Sequence, residues 1–333
     1  MDSFIRKSSE EKAQVFKEAE SRLNIPARII EKDFWVSWTL RELFALPGHG
    51  PNLTFKGGTS LSKGWKLIER FSEDIDVVID RESLGFAGER LSNKQLAKLK
   101  EACSARVVKD LLPELRHRLT QQLPKDAKWE LAAAGAEEDR DMQTLLFRYP
   151  TEFLEASSYV RQVVKIELGA RSEIEPAETP EIQPLIAETF PKLLSDGAFS
   201  VRAVAPRRTF WEKAMLLHEE TWRPAGKQRK ARLSRHYYDL WSLITKGVAA
   251  EAMRDKGLFE RIAAHRQGFF RYGWMDYATL SKGRLRVLPL PEQEAEWRQD
   301  YAAMRPEMFL QPPPSFDEVL KAAARFEKEF NQS

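Results

Sequence analysis

One cysteine in 333 residues, Cys103, leaves no partner for an internal disulfide and excludes a cysteine-based zinc cluster. Long apolar runs are missing too, since no stretch approaches the ~20 uninterrupted apolar residues that span a bilayer. The opening MDSFIRKSSEEK has no apolar core and does not read as a secretory signal. The five histidines are scattered, with no pair at a His-x-x-x-His type of spacing, so none is assigned to a metal. An overall excess of one charge is also lacking, because 53 basic and 50 acidic residues leave only +3. What remains, 42% hydrophobic and 31% charged residues, belongs to a folded, soluble chain with the cytoplasm as its expected location and no membrane partner. At roughly 150 residues per domain, two domains are expected.

Charge is uneven along the chain. From Arg202 to His236, ten Lys and Arg stand against three Glu, a local +7. Such a run suits either a solvated helix face or a polyanionic partner such as a triphosphate or RNA.

Periodicity and punctuation give the elements. The first 46 residues read as two helices, one capped by Ser8 or Ser9 and one with Pro26 in its first turn and a Pro47-Gly48 stop. Residues 52–56 read as a strand entering a tight Gly57-Gly58 turn, 59–69 as a helix, and the alternating IDVVID as a second strand. Residues 92–122 read as helical, strands are expected over 128–133, 144–149, 159–168 and 199–204, and helix dominates from Arg207 onward. A tail helix over 315–330 carries Phe316, Val319, Leu320, Ala323 and Phe326 at helical spacing. The nine tryptophans, Trp35, Trp38 and Trp65 among them, read as core rather than base-stacking platforms. Together these predict an α/β (α+β) fold, with a mixed sheet and flanking helices over 1–205, a helical domain over 206–333, and a cleft between them.

The stretch that carries chemistry is FKGGTSLSK followed by FSEDIDV. On a strand, Asp74 and Asp76 point to one face and Ile75 to the other. Two carboxylates side by side repel and call for a cation, and hard oxygen ligands suit Mg²⁺, which takes one or two carboxylates plus phosphate oxygens. Gly57-Gly58 leaves bare backbone ahead of a helix, where N–H groups can receive phosphates, and Thr59, Ser60 and Lys63 can add donors. A phosphate cradle beside a carboxylate pair is equipped for metal-assisted transfer at phosphorus.

This order, GG and then DxD, resembles the signature of the polymerase-β-like nucleotidyltransferase superfamily. KGGTSLSKGW…RFSEDIDVVI more narrowly resembles the AbiEii/AbiGii-type nucleotidyltransferase toxins of bacterial toxin–antitoxin and phage-defence systems. The fifteen residues between Gly58 and Asp74 fit the toxin family's form. EKDFWV at 31–36, Trp211-Glu212-Lys213 and Arg235-His236-Tyr237-Tyr238-Asp239-Leu240 are similar to further family motifs. The resemblance runs from about residue 31 to 245, and nothing recognisable covers the rest.

The resemblance implies a nucleotidyltransferase-type mixed sheet in which Asp74 and Asp76 bind the metal and Gly57, Gly58, Thr59 and Lys63 hold the triphosphate. Glu167 is the candidate third carboxylate, or else a strand-edge partner of Lys165 or Arg171. Lys213 is either a snorkelling surface lysine or a triphosphate ligand, and Asp239 either an ordinary i,i+4 partner of Arg235 or the group that orients Lys213. Arg207, Arg208 and the run 227–232 are expected to guide a nucleic-acid acceptor. The implied activity is Mg²⁺-dependent transfer of an NMP from an NTP, with the tRNA 3′ end as acceptor, by a toxin that a cognate antitoxin neutralises. Transfer to a protein, or a non-catalytic nucleic-acid- or partner-binding module on the same fold, are the alternatives.

Overall fold

A computed structural model describes all residues except 89, 154–161, 310 and 333. The chain forms two units, one of residues 1–64, 72–87 and 93–203, the other of 65–71, 88–92 and 204–333. The first is built on a sheet and the second on helices.

In the sheet unit a short helix, α1 (Asp2–Ile5), precedes α2 (Ser9–Leu23). Ser8 starts α2 with a reciprocal cap: its hydroxyl accepts the Glu11 N–H at 3.2 Å, and the Glu11 carboxylate accepts the Ser8 N–H at 3.0 Å. Pro26 is the N-cap of α3 (Ala27–Phe44) rather than a residue of its first turn. Every residue of α3 from Ile29 to Leu40 is buried, so this helix runs through the core. Trp35 and Trp38 pack there edge-to-face at 5.5 Å, as core residues.

The chain then forms β1 (Leu53–Lys56), α4 (Gly57–Lys63) and β2 (Ile75–Ile79). The helix expected over 59–69 starts two residues earlier and stops at Lys63. Gly64 closes it, packed where an added Cβ would lie 3.0 Å from the Pro180 ring, and the residues after it belong to the other unit. Helices α5 (Asn93–Ala105) and α6 (Leu112–Gln122) are joined through a π-helical turn, matching the single helical stretch expected there. Next come β3 (Glu130–Ala133), β4 (Thr144–Arg148), β5 (Val164–Gly169), β6 (Ala177–Glu178), β7 (Glu181–Ile182), α7 (Leu185–Thr189), β8 (Phe199–Ser200) and β9 (Ala203–Val204). Residues 159–161 of the expected strand 159–168 lie outside the described residues. The strand expected over 199–204 is two short strands in different sheets.

The main sheet runs β3-β4-β5-β2-β1-β9-β6. It is mixed: β2 pairs with β5 and β1 with β9 in parallel, whereas β1–β2, β3–β4 and β4–β5 are antiparallel. Two registers matter for the site, because Asp76 stands opposite Lys56 on one side and Glu167 on the other.

In the helical unit, Pro206 opens α8 (Pro206–Thr221), followed by α9 (Arg235–Thr245), α10 (Val248–Arg254), α11 (Leu258–Phe269), α12 (Pro291–Met308) and α13 (Phe316–Gln332). The tail helix packs on α9 with Phe316, Val319, Ala323 and Phe326 buried, and Leu320 half-buried. Trp211 on α8 meets Phe259 at 4.9 Å and Phe330 at 4.8 Å, and Phe210 meets Phe326 at 4.9 Å. Among the described residues no helix is long and apolar enough to cross a membrane.

Within this core His218 accepts the Arg286 N–H through Nδ1 at 2.8 Å and faces the Thr279 hydroxyl through Nε2 at 2.9 Å. Burial pushes its pKa down to about 4, so it is neutral in the folded protein at neutral pH. The unfolded chain takes up that proton near pH 6.5, so stability is complete above that value and falls as the pH drops toward 4. Denaturant unfolding should therefore show about 2 kcal/mol lost through this residue between pH 7 and pH 5. The His218→Gln variant should lack that component, and an unchanged pH dependence in the variant would contradict it.

Candidate active site

The antiparallel pairing of β1 and β2 brings the turn after Lys56 onto the Asp76 side chain. Gly57 has φ +81°, and a Cβ there would sit 2.1 Å from Asp76 Oδ2. Both the left-handed backbone and the close approach require glycine. Gly57 and Gly58 form the first turn of α4, whose opening N–H groups have no partner within the helix.

Asp76 lies on the face of β2 opposite the buried Ile75 and Val77, and Asp74 immediately precedes the strand. Glu167 joins them across the parallel register from β5. Burial lifts Asp76 to about 7, the charge of Glu167 adds to this and that of Lys56 opposes it. Dense packing around its carboxyl group also raises Asp74, with further contributions from Glu73 and Glu167. Glu167 ion-pairs with Lys165 as well, so its strand-edge partner and its place beside Asp76 coexist. Among the described residues no three His, Cys, Asp or Glu side chains form a ready metal cage. The donor set nonetheless fits a hard cation: crowded carboxylates of raised pKa are short of positive charge, and Mg²⁺ takes much of its shell from phosphate and water.

Three expected phosphate donors have other tasks. The Thr59 hydroxyl is buried, donating to the Asp74 carbonyl at 2.5 Å and lying 2.8 Å from Ser72 Oγ. Ser60 Oγ donates to the Gly57 carbonyl at 2.9 Å. Lys63 is buried and ion-paired with Asp33, whose second oxygen accepts the Leu185 N–H at 2.8 Å. The side chains of Thr59, Ser60 and Lys63 thus brace the turn through these contacts.

Asp33 is the last of three consecutive charges on α3 that spacing alone did not assign. Glu31 accepts from the Thr151 hydroxyl at 2.6 Å and the Glu152 N–H at 2.7 Å, and Lys32 ion-pairs with Glu73, beside Asp74. The available signal was a charged triplet inside an otherwise apolar helix, since buried charges must be paired.

A second cluster lies in the helical unit. Asp239 is fully buried and receives Arg70 Nε at 2.6 Å, Arg70 Nη2 at 2.8 Å and Lys213 Nζ at 2.6 Å. Arg235 turns instead to the Arg232 carbonyl, at 3.2 Å, so the i,i+4 pair with Asp239 does not form. Burial works to raise Asp239, but the charges of Arg70 and Lys213 outweigh it and hold the carboxyl far below its ordinary range. Burial depresses Lys213, Asp239 opposes this, and Arg70 adds to it. His236, 3.4 Å from Lys213 Nζ, is kept neutral by burial and then by the charges of Lys213 and Arg235. Arg70 went unassigned because its partner is 169 positions away.

Part of the expected basic guide is not available. Arg208 is buried and paired with Glu212 at 3.0 Å, Arg207 pairs with Asp255 at 3.0 Å, and Arg229 is held by Glu220 and Glu296.

A family model described as nucleotidyl transferase AbiEii toxin, type IV toxin–antitoxin system, matches residues 38–322. The chain belongs to this family. The AbiEii match extends well past residue 245 into the helical unit, so the resemblance is longer than the motifs alone indicate, and it begins after the EKDFWV motif. The chain is thereby a nucleotidyltransferase toxin, and the family implies a nucleotide substrate and an antitoxin partner. Among solved structures, MenT4, a nucleotidyltransferase toxin from Mycobacterium tuberculosis H37Rv, is similar with 18% identity and a TM-score of 0.37, covering 88% of this chain and 99% of that one. No curated protein matches the sequence.

An AbiEii toxin with Gly57→Ala should remain folded but lose at least about 100-fold in nucleotide transfer, the scale expected when reacting groups shift by about 1 Å. Thermal melting checks the fold and a transfer assay the activity. Full activity in this variant would show that the approach of Gly57 to Asp76 is dispensable.

Proposed function

We propose that this toxin uses Mg²⁺ to transfer an NMP from an NTP to RNA, with the tRNA 3′ end as acceptor. The observation that carries the reading is Asp76 lying against a glycine turn at the head of a helix, with Glu167 beside it in register and Asp74 two residues before it. Asp74 and Asp76 would hold the ion, with Glu167 beside them. Bound there, a divalent ion helps to activate the attacking oxygen and offsets charge on the leaving pyrophosphate.

The chain's own groups do the rest. Gly57 lets a phosphate approach the backbone without a side chain in the way, and the first N–H groups of α4 receive its oxygens. Thr59 and Ser60 fix the turn, and the ion pair of Lys63 with Asp33 fixes the far end of α4. The acceptor's 3′-hydroxyl oxygen bonds to the α-phosphorus as its proton passes to solvent, the bond from the α-phosphorus to the α–β bridging oxygen breaks, and pyrophosphate departs. Lys213 is the cation assigned to the triphosphate, and Asp239 positions it.

The test incubates the protein with labelled NTPs, Mg²⁺ and total tRNA. The parent should label RNA, excess chelator should abolish labelling, and Asp76→Ala and Lys213→Ala should each reduce it at least about 100-fold, the scale of removing one charge-stabilising group. Lys213→Ala is the cleaner probe of the helical unit, because Asp239 keeps its two bonds to Arg70. Asp239→Ala would strand two buried cations at a cost of about 3–5 kcal/mol. RNA retained equally by parent and Asp76→Ala with no label transferred would instead identify a binding module.

A further inference from the structure

A cavity of about 500 Å³ opens in the helical unit, and neither Lys213 nor Asp239 is among the residues of its wall. Its wall includes His218, Thr221, Trp222, Thr279, Arg284 and Arg286. The segment bearing the two arginines is held rigidly. Leu285 exchanges two hydrogen bonds with the Asn331 amide, at 3.2 and 2.8 Å, the Glu327 carboxylate accepts the Val287 N–H at 2.6 Å, and Tyr237 donates to the Val287 carbonyl at 2.9 Å. Leu285 and Val287 are buried while Arg284 and Arg286 are exposed and both line the cavity, Arg284 Nη1 also donating to the Ala278 carbonyl at 3.5 Å. Neither is ion-paired among the described residues, in contrast to Arg207, Arg208 and Arg229.

The apolar part is equally specific. Trp222, 39% exposed at the end of α8, lines the cavity, and its ring is one of only three large hydrophobic side chains exposed among the described residues. A second of those three, Tyr272, is also 39% exposed and stacks on Trp274 at 4.9 Å, with the planes 11° apart. That stack sits on the loop that continues to Thr279 in the cavity wall, and Lys227 Nζ lies 5.5 Å from the Trp274 ring centre. His218 has both ring nitrogens engaged and stays neutral, so the floor adds no charge of its own.

We propose that this surface docks single-stranded RNA, with one nucleotide in the cavity, its base against Trp222 and its phosphates on Arg284 and Arg286. Exposed aromatic faces interleaved with unpaired cations match the two requirements of single-strand binding, stacking for bases and charge for the backbone. An acidic protein segment would use the guanidinium groups but has no use for the indole and the Tyr272–Trp274 stack. The inference rests on the reading that the acceptor is RNA and adds the place that holds it. Direct binding measured without NTP keeps the two separable: failure of transfer to RNA would remove the reading without touching the binding result, and failure of binding would remove the inference alone.

The experiment titrates a fluorescent single-stranded oligoribonucleotide with the full-length protein and follows anisotropy at several salt concentrations. Arg284→Glu with Arg286→Glu should weaken binding at least tenfold and lower the slope of log affinity against log salt by about 1.4, for two phosphate contacts. Trp222→Ala should weaken it about tenfold and Trp222→Phe should restore most of the loss, as stacking predicts. The control carries the same charge change on the exposed face of α13, Lys321→Glu with Arg325→Glu, and should bind as the parent does or be weakened far less. The proposal is overturned if the parent does not bind, if the control loses as much as the cavity variant, or if Trp222→Ala binds unchanged. It is also overturned if poly-glutamate competes as well as RNA of equal charge, which would mark the surface as a site for acidic protein.

Discussion

Like charges held together on neighbouring strands govern the sheet unit. Asp74 stands just before the strand that carries Asp76, the parallel register adds Glu167, and Glu73 precedes Asp74 in the chain. A sheet does not gather carboxylates in this way for stability, since each raises the cost of ionising the next. The lysines nearby offset only part of this charge: Lys165 pairs with Glu167, Lys32 pairs with Glu73, and Lys56, which donates to the Ser172 hydroxyl at 2.8 Å, opposes the rise of Asp76 without cancelling it. The negative surplus is therefore a fixed property of the register, and Gly57 keeps the space in front of Asp76 clear of any side chain. On the proposed reading, a divalent ion carrying a polyphosphate would supply the missing charge.

Helix α3 explains how the surplus is held in place. Its Glu31, Lys32 and Asp33 bind three separate segments: the chain at Thr151 and Glu152, the residue before Asp74, and the end of α4. Buried pairs of this kind add little net stability, yet breaking one is costly, so they specify position more than they strengthen the fold. Consecutive helical residues point about 100° apart, which is why three adjacent charges on one central helix can reach three directions.

What could be read from the sequence follows the range of the interactions. Ser8 with Glu11, the alternation of Asp74, Ile75 and Asp76, and the apolar stripe of the tail helix are local patterns, and each has its local structural counterpart. The pairing of Glu167 with Asp76 was inferable only as a neighbouring strand, because register is set by the whole sheet. Lys63, at helical spacing behind the glycines, reads as a phosphate ligand, and nothing local points to its ion pair with Asp33, thirty positions upstream. Arg208 looks like a surface cation in a basic run, but α8 turns it inward to Glu212. Arg70 and Asp239 are 169 positions apart, and no periodicity links them. Local order was legible, whereas the partners of buried charges were not.

The same logic bears on Lys213 and its proposed role. A lysine buried against a single carboxylate would be locked, since moving it would leave that carboxylate unpaired in the interior. Here Arg70 already occupies both oxygens of Asp239, and Lys213 is a second cation on an anion that is satisfied without it. Arg70 also works against the charged form of Lys213, so the ammonium gains from any added negative charge. Two cations against one carboxylate, with His236 held neutral beside them, leave the cluster with a positive surplus. Asp239 can therefore orient Lys213 without holding it, which is the condition a phosphate-binding lysine must meet if it is to exchange one anion for another.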